Sequence, residues 1–162
     1  MFITVHAVAA TIVGKQIHNS ALAFLVGMLS HFILDMIPHG DENLGDKFFG
    51  IKIREKRDLK MIALYGACDA FVLAIYLIFL FKNFSFAKED SVSWAIIGGL
   101  LPDIMVVIYK MRRFKILKKP VAWHFKIHHF LIAKTKFNPP LKYGVIMQIF
   151  LFAALLFFVF YS

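Results

Sequence analysis

The stretch LSHFILDMIPHGD, Leu29 to Asp41, sets His31, Asp35 and His39 four residues apart in otherwise apolar sequence. Imidazole and carboxylate side chains together can ligate a borderline divalent cation such as zinc, or relay protons. Residues four apart on a helix advance only about 40° around its axis, so His31 and Asp35 share a face and can bind one metal or each other. Pro38 disfavours helical geometry at Ile37 and Gly40 tolerates positive φ, which puts His39 past the helix end, free to swing inward or face water. Three more ionisable residues lie in apolar surroundings: His6, Asp69 in YGACDAF and Asp103 in IIGGLLPDIMVV. An Asp at the centre of a membrane helix costs about 2.5–3.5 kcal/mol, so each needs a compensating partner or a function. Next to Asp103, Pro102 frees the carbonyl of Gly98, while Gly98 and Gly99 let another helix approach closely.

These residues must be positioned by membrane helices. Of 162 residues, 60% are hydrophobic and 19 are Phe, with a mean hydropathy of +0.71, far above that of a soluble domain. Runs near the roughly 20 residues needed to cross a bilayer cover 21–38, 59–81, 92–111 and 145–161, and a shorter one covers 2–17. The short run lacks a basic leading segment and reads as a retained helix, not a signal peptide; its length also suits a re-entrant or tilted segment. The expected architecture is an all-α polytopic bundle of four to five transmembrane helices plus an interfacial amphipathic helix, forming one integral membrane domain over 1–162.

Charge sets the expected orientation. With five spans, the connections 40–58 and 110–144, with Lys60 at their flank, carry 16 of the 19 Lys and Arg residues. Positive residues favour the inner side, so the N-terminus is expected in the cytoplasm. The net charge of +9 is then mainly a topology signal with attraction to anionic lipid, and no soluble basic domain supports nucleic-acid binding. In that topology His6, His31, Asp35 and Asp103 all fall within about 12 Å of the inner surface, and Asp69 about 15 Å down its helix, at 1.5 Å per residue. Shared depth on separate helices argues for one site.

Within the second basic connection, VAWHFKIHHFLIAKTK has Trp123, Ile127, Phe130 and Lys134 at helical spacing. An interfacial helix over about 121–136 would bring His124, His128 and His129 over the site, with His124 and His128 an i, i+4 pair and His129 about 100° further round. Cys68 stands alone and forms no internal disulfide.

ITVHAVAATIVG, GGLLPDI and the later histidine cluster resemble the bacterial membrane-bound metal-dependent hydrolases. LSHFILDMIPHGD is similar to the His-x-x-x-Asp helices of zinc-dependent phospholipase C-like proteins. His6 matches the family's early histidine, with Val5 where Thr is usual. Pro102 and Asp103 match its Pro-Asp, with Met105 in place of a second Asp. HFKIHHFLI lies over the family's His-Arg-Gly-x-Thr-His-Ser-Leu so that His124 and His129 fall on its two histidines, with Phe125 and Lys126 in place of Arg-Gly and His128 in place of Thr. The resemblance implies an inner-membrane hydrolase with a metal cofactor.

The expected function is a membrane-embedded hydrolase, its site open to the cytoplasmic leaflet, acting on an ester or phosphoester of a lipid-like substrate. A divalent metal, by its donor chemistry zinc, would be held by His6, His31, Asp35 and Asp103, with His124 or His129 completing the shell. Asp69 or His39 would orient a ligand or act as general base. Basic residues of KMRRFKILKK would hold an anionic headgroup. Two rivals use the same residues: a proton or metal transporter with the His/Asp set as a relay, and a non-catalytic membrane adaptor in which that set only holds helices together.

Overall fold

A computed structural model gives the architecture; it describes residues 1–40, 56–135 and 139–161, with side chains omitted at 56–59, 61, 62, 87, 88 and 131–135. Asp41, Glu42 and most of the basic segment KIREKRD lie outside the described residues. Six α-helices account for most of the chain: α1 (Ile3–Gln16), α2 (Ser20–Leu34), α3 (Lys56–Asn83), α4 (Asp90–Arg112), α5 (Lys118–Thr135) and α6 (Leu141–Tyr161). Short 3-10 turns at Ser85–Lys88 and Lys115–Leu117 precede α4 and α5, and no strand occurs among the described residues.

Among the described residues, three helices are long and apolar enough to cross a membrane: Ala63–Asn83 within α3, all of α4, and all of α6. α1 and α2 have 14 and 15 residues, which at 1.5 Å per residue reach only about 21–23 Å. Large apolar side chains point outward along the long helices, among them Phe71, Ile75 and Ile78 of α3 and Ile149, Phe150 and Phe157 of α6. Such a surface is stable against hydrocarbon and not against water. The long apolar helices and this surface fit an integral membrane protein.

α1 is the centre of the bundle. Thr4 through Thr11 and Gly14 are all buried, and most are Ala, Val, Thr or Gly, sizes that let neighbouring backbones close in. Its direction is fixed at both ends. Near the start, Phe2 N donates to Gln148 Oε1 of α6; near the finish, Lys15 Nζ donates to the Val159 carbonyl of α6, so α1 and α6 run parallel. Ser91 at the start of α4 donates to the Gly14 carbonyl near the end of α1, so these two run antiparallel.

α2 divides its residues by face. Ala23, Gly27, His31 and then Asp35 at its C-cap recur every four residues and are buried, whereas Leu22, Leu25, Leu29 and Ile33 are exposed. The polar pair thus belongs to the same stripe as the small residues that pack α2 against α4. A Cβ on Gly27 would collide with the Ala95 carbonyl, and one on Gly98 with the Phe24 carbonyl. These reciprocal glycines bring the two backbones into contact just above the polar residues.

Candidate metal centre

α2 ends at Leu34 with Asp35 as its C-cap, and Met36 N and Ile37 N turn back to the Ile33 and Leu34 carbonyls in a tightened last turn. The chain then passes Pro38 and turns at Gly40, φ 73°. The turn carries His39 inward, where it is fully buried. Its Nδ1 lies 2.7 Å from the Ile37 carbonyl, and its own carbonyl accepts from Gln148 Nε2 at 3.1 Å. Gly144 of α6 makes this possible, because any Cβ there would strike the His39 carbonyl. Of the two placements the sequence allowed for His39, the structure takes the inward one.

His31 is oriented from its other nitrogen. Nδ1 lies 3.0 Å from the Gly99 carbonyl of α4, so it is the protonated nitrogen and Nε2 carries the lone pair that faces the site. That carbonyl neighbours the Gly98 carbonyl released by Pro102, in the segment the glycines open to α2. Beside His31, the His6 ring of α1 stacks at 4.1 Å between centroids and 25° between planes.

Two carboxylates sit among the imidazoles. Asp35 Oδ1 is 3.4 Å from His6 Nε2, and its Oδ2 is 3.3 Å from His31 Nε2 and 3.8 Å from His128 Nε2. Asp103 Oδ2 is 4.0 Å from His6 Nε2, and its Oδ1 is 3.9 Å from the Nε2 of both His31 and His124. The Met1 amino group lies 3.3 Å from Asp35 Oδ1. Donor atoms of His6, His31 and Asp103, of His31, Asp35 and His124, and of Asp35, His39 and His128 each lie within 4.8 Å of one another. Although buried, both ring nitrogens of His6, Nε2 of His31 and Nδ1 of His124 make no hydrogen bond among the described residues. Polar atoms left this way in a protein interior lose about 1–3 kcal/mol each unless something else binds them. A divalent cation fits these donors in chemistry: neutral imidazoles and carboxylates are its ordinary ligands.

α5 closes the cluster. Burial lowers the pKa of both its facing imidazoles, His124 and His128, against the opposing pull of the nearby carboxylates; His128 falls to about 4. Both are therefore neutral at physiological pH and able to donate a lone pair. The cluster is not sealed: Asp103 is 25% exposed and His128 16%, whereas His6, His31 and Asp35 are at 2% or less. The cluster is open along the α4–α5 side.

Two candidates from the sequence are placed elsewhere. His129 is exposed, with Nδ1 2.8 Å from the Phe125 carbonyl, and it is His128 that joins His124 at the cluster. The i, i+4 spacing of His124 and His128 carries that answer, because 100° of rotation turns the next residue away. Asp69 of α3 instead takes up the first turn of α1. It accepts from Ile3 N at 2.6 Å, Thr4 N at 3.1 Å and the Thr4 hydroxyl, which also faces the Asp69 carbonyl at 2.9 Å. No side-chain cap comes from Phe2 itself, so the orphan amides of α1 are satisfied by a carboxylate from another helix, which also complements the helix dipole. Among the described residues no hydrogen bond or ion pair joins Asp69 to the histidine cluster. A comparison with family models, curated proteins and solved structures finds no match for this chain.

Proposed function

We propose that the chain is a membrane-embedded metal-dependent hydrolase of an ester or phosphoester in a lipid-like substrate. The observation that carries this reading is the set of imidazoles from α1, α2 and α5 whose Nε2 atoms surround two carboxylates, Asp35 and Asp103. His6, His31 and Asp103 form the ligand core, His124 is the fourth donor, and Asp35 stands against His6 and His31. A bound zinc ion would supply a water of pKa near 7 and a Lewis acid for the substrate's oxygen.

The chain's own residues divide the remaining work. The Gly99 carbonyl fixes the His31 tautomer, Asp69 holds the turn of α1 that precedes His6, and the glycines of α2 and α4 set the distance between the polar stripes. The exposed edge of Asp103 gives water and substrate a way in. Basic residues flanking α5 in sequence suit an anionic headgroup. In the bilayer, α2, with or without α1, counts as a span beside the three long helices, giving four to five, with the basic connections and the N-terminus in the cytoplasm. The inner membrane and the lipid-like substrate enter this reading from the resemblance of its motifs.

Metal analysis of detergent-purified protein tests the reading, together with hydrolysis of lipid esters and phosphoesters in mixed micelles. Zinc at stoichiometric level, lost in His31→Ala and Asp103→Ala together with hydrolysis, is the expected result. Metal-free wild type, or metal content indifferent to both substitutions, refutes it. Metal that crosses sealed vesicles loaded with the protein would favour the transporter.

A further inference from the structure

Five imidazoles and two carboxylates converge in the cluster, more donors than the four that a zinc ion ordinarily takes. They fall into two sets linked through Asp35, whose donors also group with those of His31 and His124. His6, His31 and Asp103, with His124 Nε2 3.9 Å from Asp103 Oδ1, make one complete set. Asp35, His39 and His128 make another, their donor atoms also within 4.8 Å of one another.

We propose that this second set holds a second divalent cation adjacent to the first, with Asp35 as the carboxylate that faces both. The proposal rests on the metal reading above. Three features of the second set are built for such an ion. The bond from Nδ1 to the Ile37 carbonyl presents His39 through Nε2, and the positive-φ turn at Gly40 together with the missing Cβ at Gly144 brings that ring into the protein at all. His128 approaches from the opposite side on α5, its ring centroid 5.8 Å from that of His39 at 77°, edge to face, so the two rings meet without stacking. Asp35 closes the set: its Oδ2 lies 3.3 Å from His31 Nε2 and 3.8 Å from His128 Nε2, one from each set. A carboxylate between two imidazole groups is the arrangement by which paired cations about 3.5–4 Å apart share a ligand. His39, which the sequence cast as an orienting group or general base, becomes a ligand in this assignment, and three protein donors leave a coordination position for water.

The test is a titration of metal-stripped, full-length protein in detergent with Co²⁺ alone, followed by visible d–d absorption and checked by elemental analysis. The wild type is expected to take up two equivalents, and His128→Gln one. His128 is chosen because it lies on the exposed side of the cluster, and the wild-type stoichiometry decides the matter even if the variant does not fold. Saturation of the wild type at one equivalent overturns the second site and leaves the first standing. Two equivalents in folded His128→Gln overturns the ligand assignment. No binding at all overturns this inference and the hydrolase reading together.

Discussion

Replacing Asp69 by Ala separates a residue that holds α1 from one that acts at the metal. The substitution removes the acceptor for Ile3 N, Thr4 N and one contact of the Thr4 hydroxyl, which keeps its bond to the residue 69 carbonyl. Hydrogen bonds to a charged group contribute about 1.5–3 kcal/mol each, and loss of an ordinary N-cap costs about 0.5–2 kcal/mol. The cavity of about 410 Å³ beside Asp69, lined in part by Tyr65, Val72 and Phe152, is apolar and offers the stranded amides no replacement acceptor. The expected loss is therefore about 3–6 kcal/mol for two amides. Asp69→Asn retains one carbonyl acceptor and should lose roughly half as much. Unfolding in detergent, followed through Trp94 and Trp123, measures the loss, and metal content at saturating zinc is read on the same samples. Stability should fall while stoichiometry holds. A variant of unchanged stability that has lost its metal would refute the reasoning and return Asp69 to the ion.

Metal-linked stability offers a second test: zinc at a hundredfold excess over its Kd should stabilise the folded chain by about 2.7 kcal/mol, and chelation should reverse the gain. Unfolding that ignores zinc would contradict a ligand set made only in the folded state. Gly98→Ala drives a Cβ into the Phe24 carbonyl and should cost about 1–3 kcal/mol or more, whereas Gly66→Ala meets nothing within 4 Å and should be neutral or gain about 0.5–1 kcal/mol. Equal effects at the two positions would refute the close α2–α4 approach. His129→Ala should leave metal content unchanged where His124→Ala lowers it; the reverse result would show α5 turned about 100° from its placement here.

The grouping of His6, His31, Asp35 and Asp103 was legible because basic connections orient the helices and 1.5 Å per residue then gives each side chain a depth. Depth fails for Asp69. α3 runs from Lys56 to Asn83, longer than a bilayer requires, so it extends past the start of α1, and Asp69 meets that start instead of His6. The inward turn of His39 depended on Gly144, more than a hundred residues away, and local pattern carries no such information. For the last histidine pair two signals compete: the resemblance favours His129, and helical spacing favours His128. Helix geometry is a physical constraint and a short motif likeness is not, which is why the spacing prevails.

Gln148 uses both ends of its amide, Oε1 for Phe2 N and Nε2 for the His39 carbonyl. Along the outward face of α6 the demand is only for bulk that hydrocarbon tolerates, whereas Val159 is fully buried in the core and Phe152, Leu155 and Phe160 pack against it. Saturation mutagenesis of this helix should return a tolerance profile that is shallow on the outward face, with its sharpest minima at Gly144 and Gln148 and a lesser one at Val159. Glu, one nucleotide change away, keeps the acceptor and forfeits the donor; Leu forfeits both. The most apolar of the three long helices thus has its evolutionary freedom curtailed one turn apart, by a missing Cβ and a single amide.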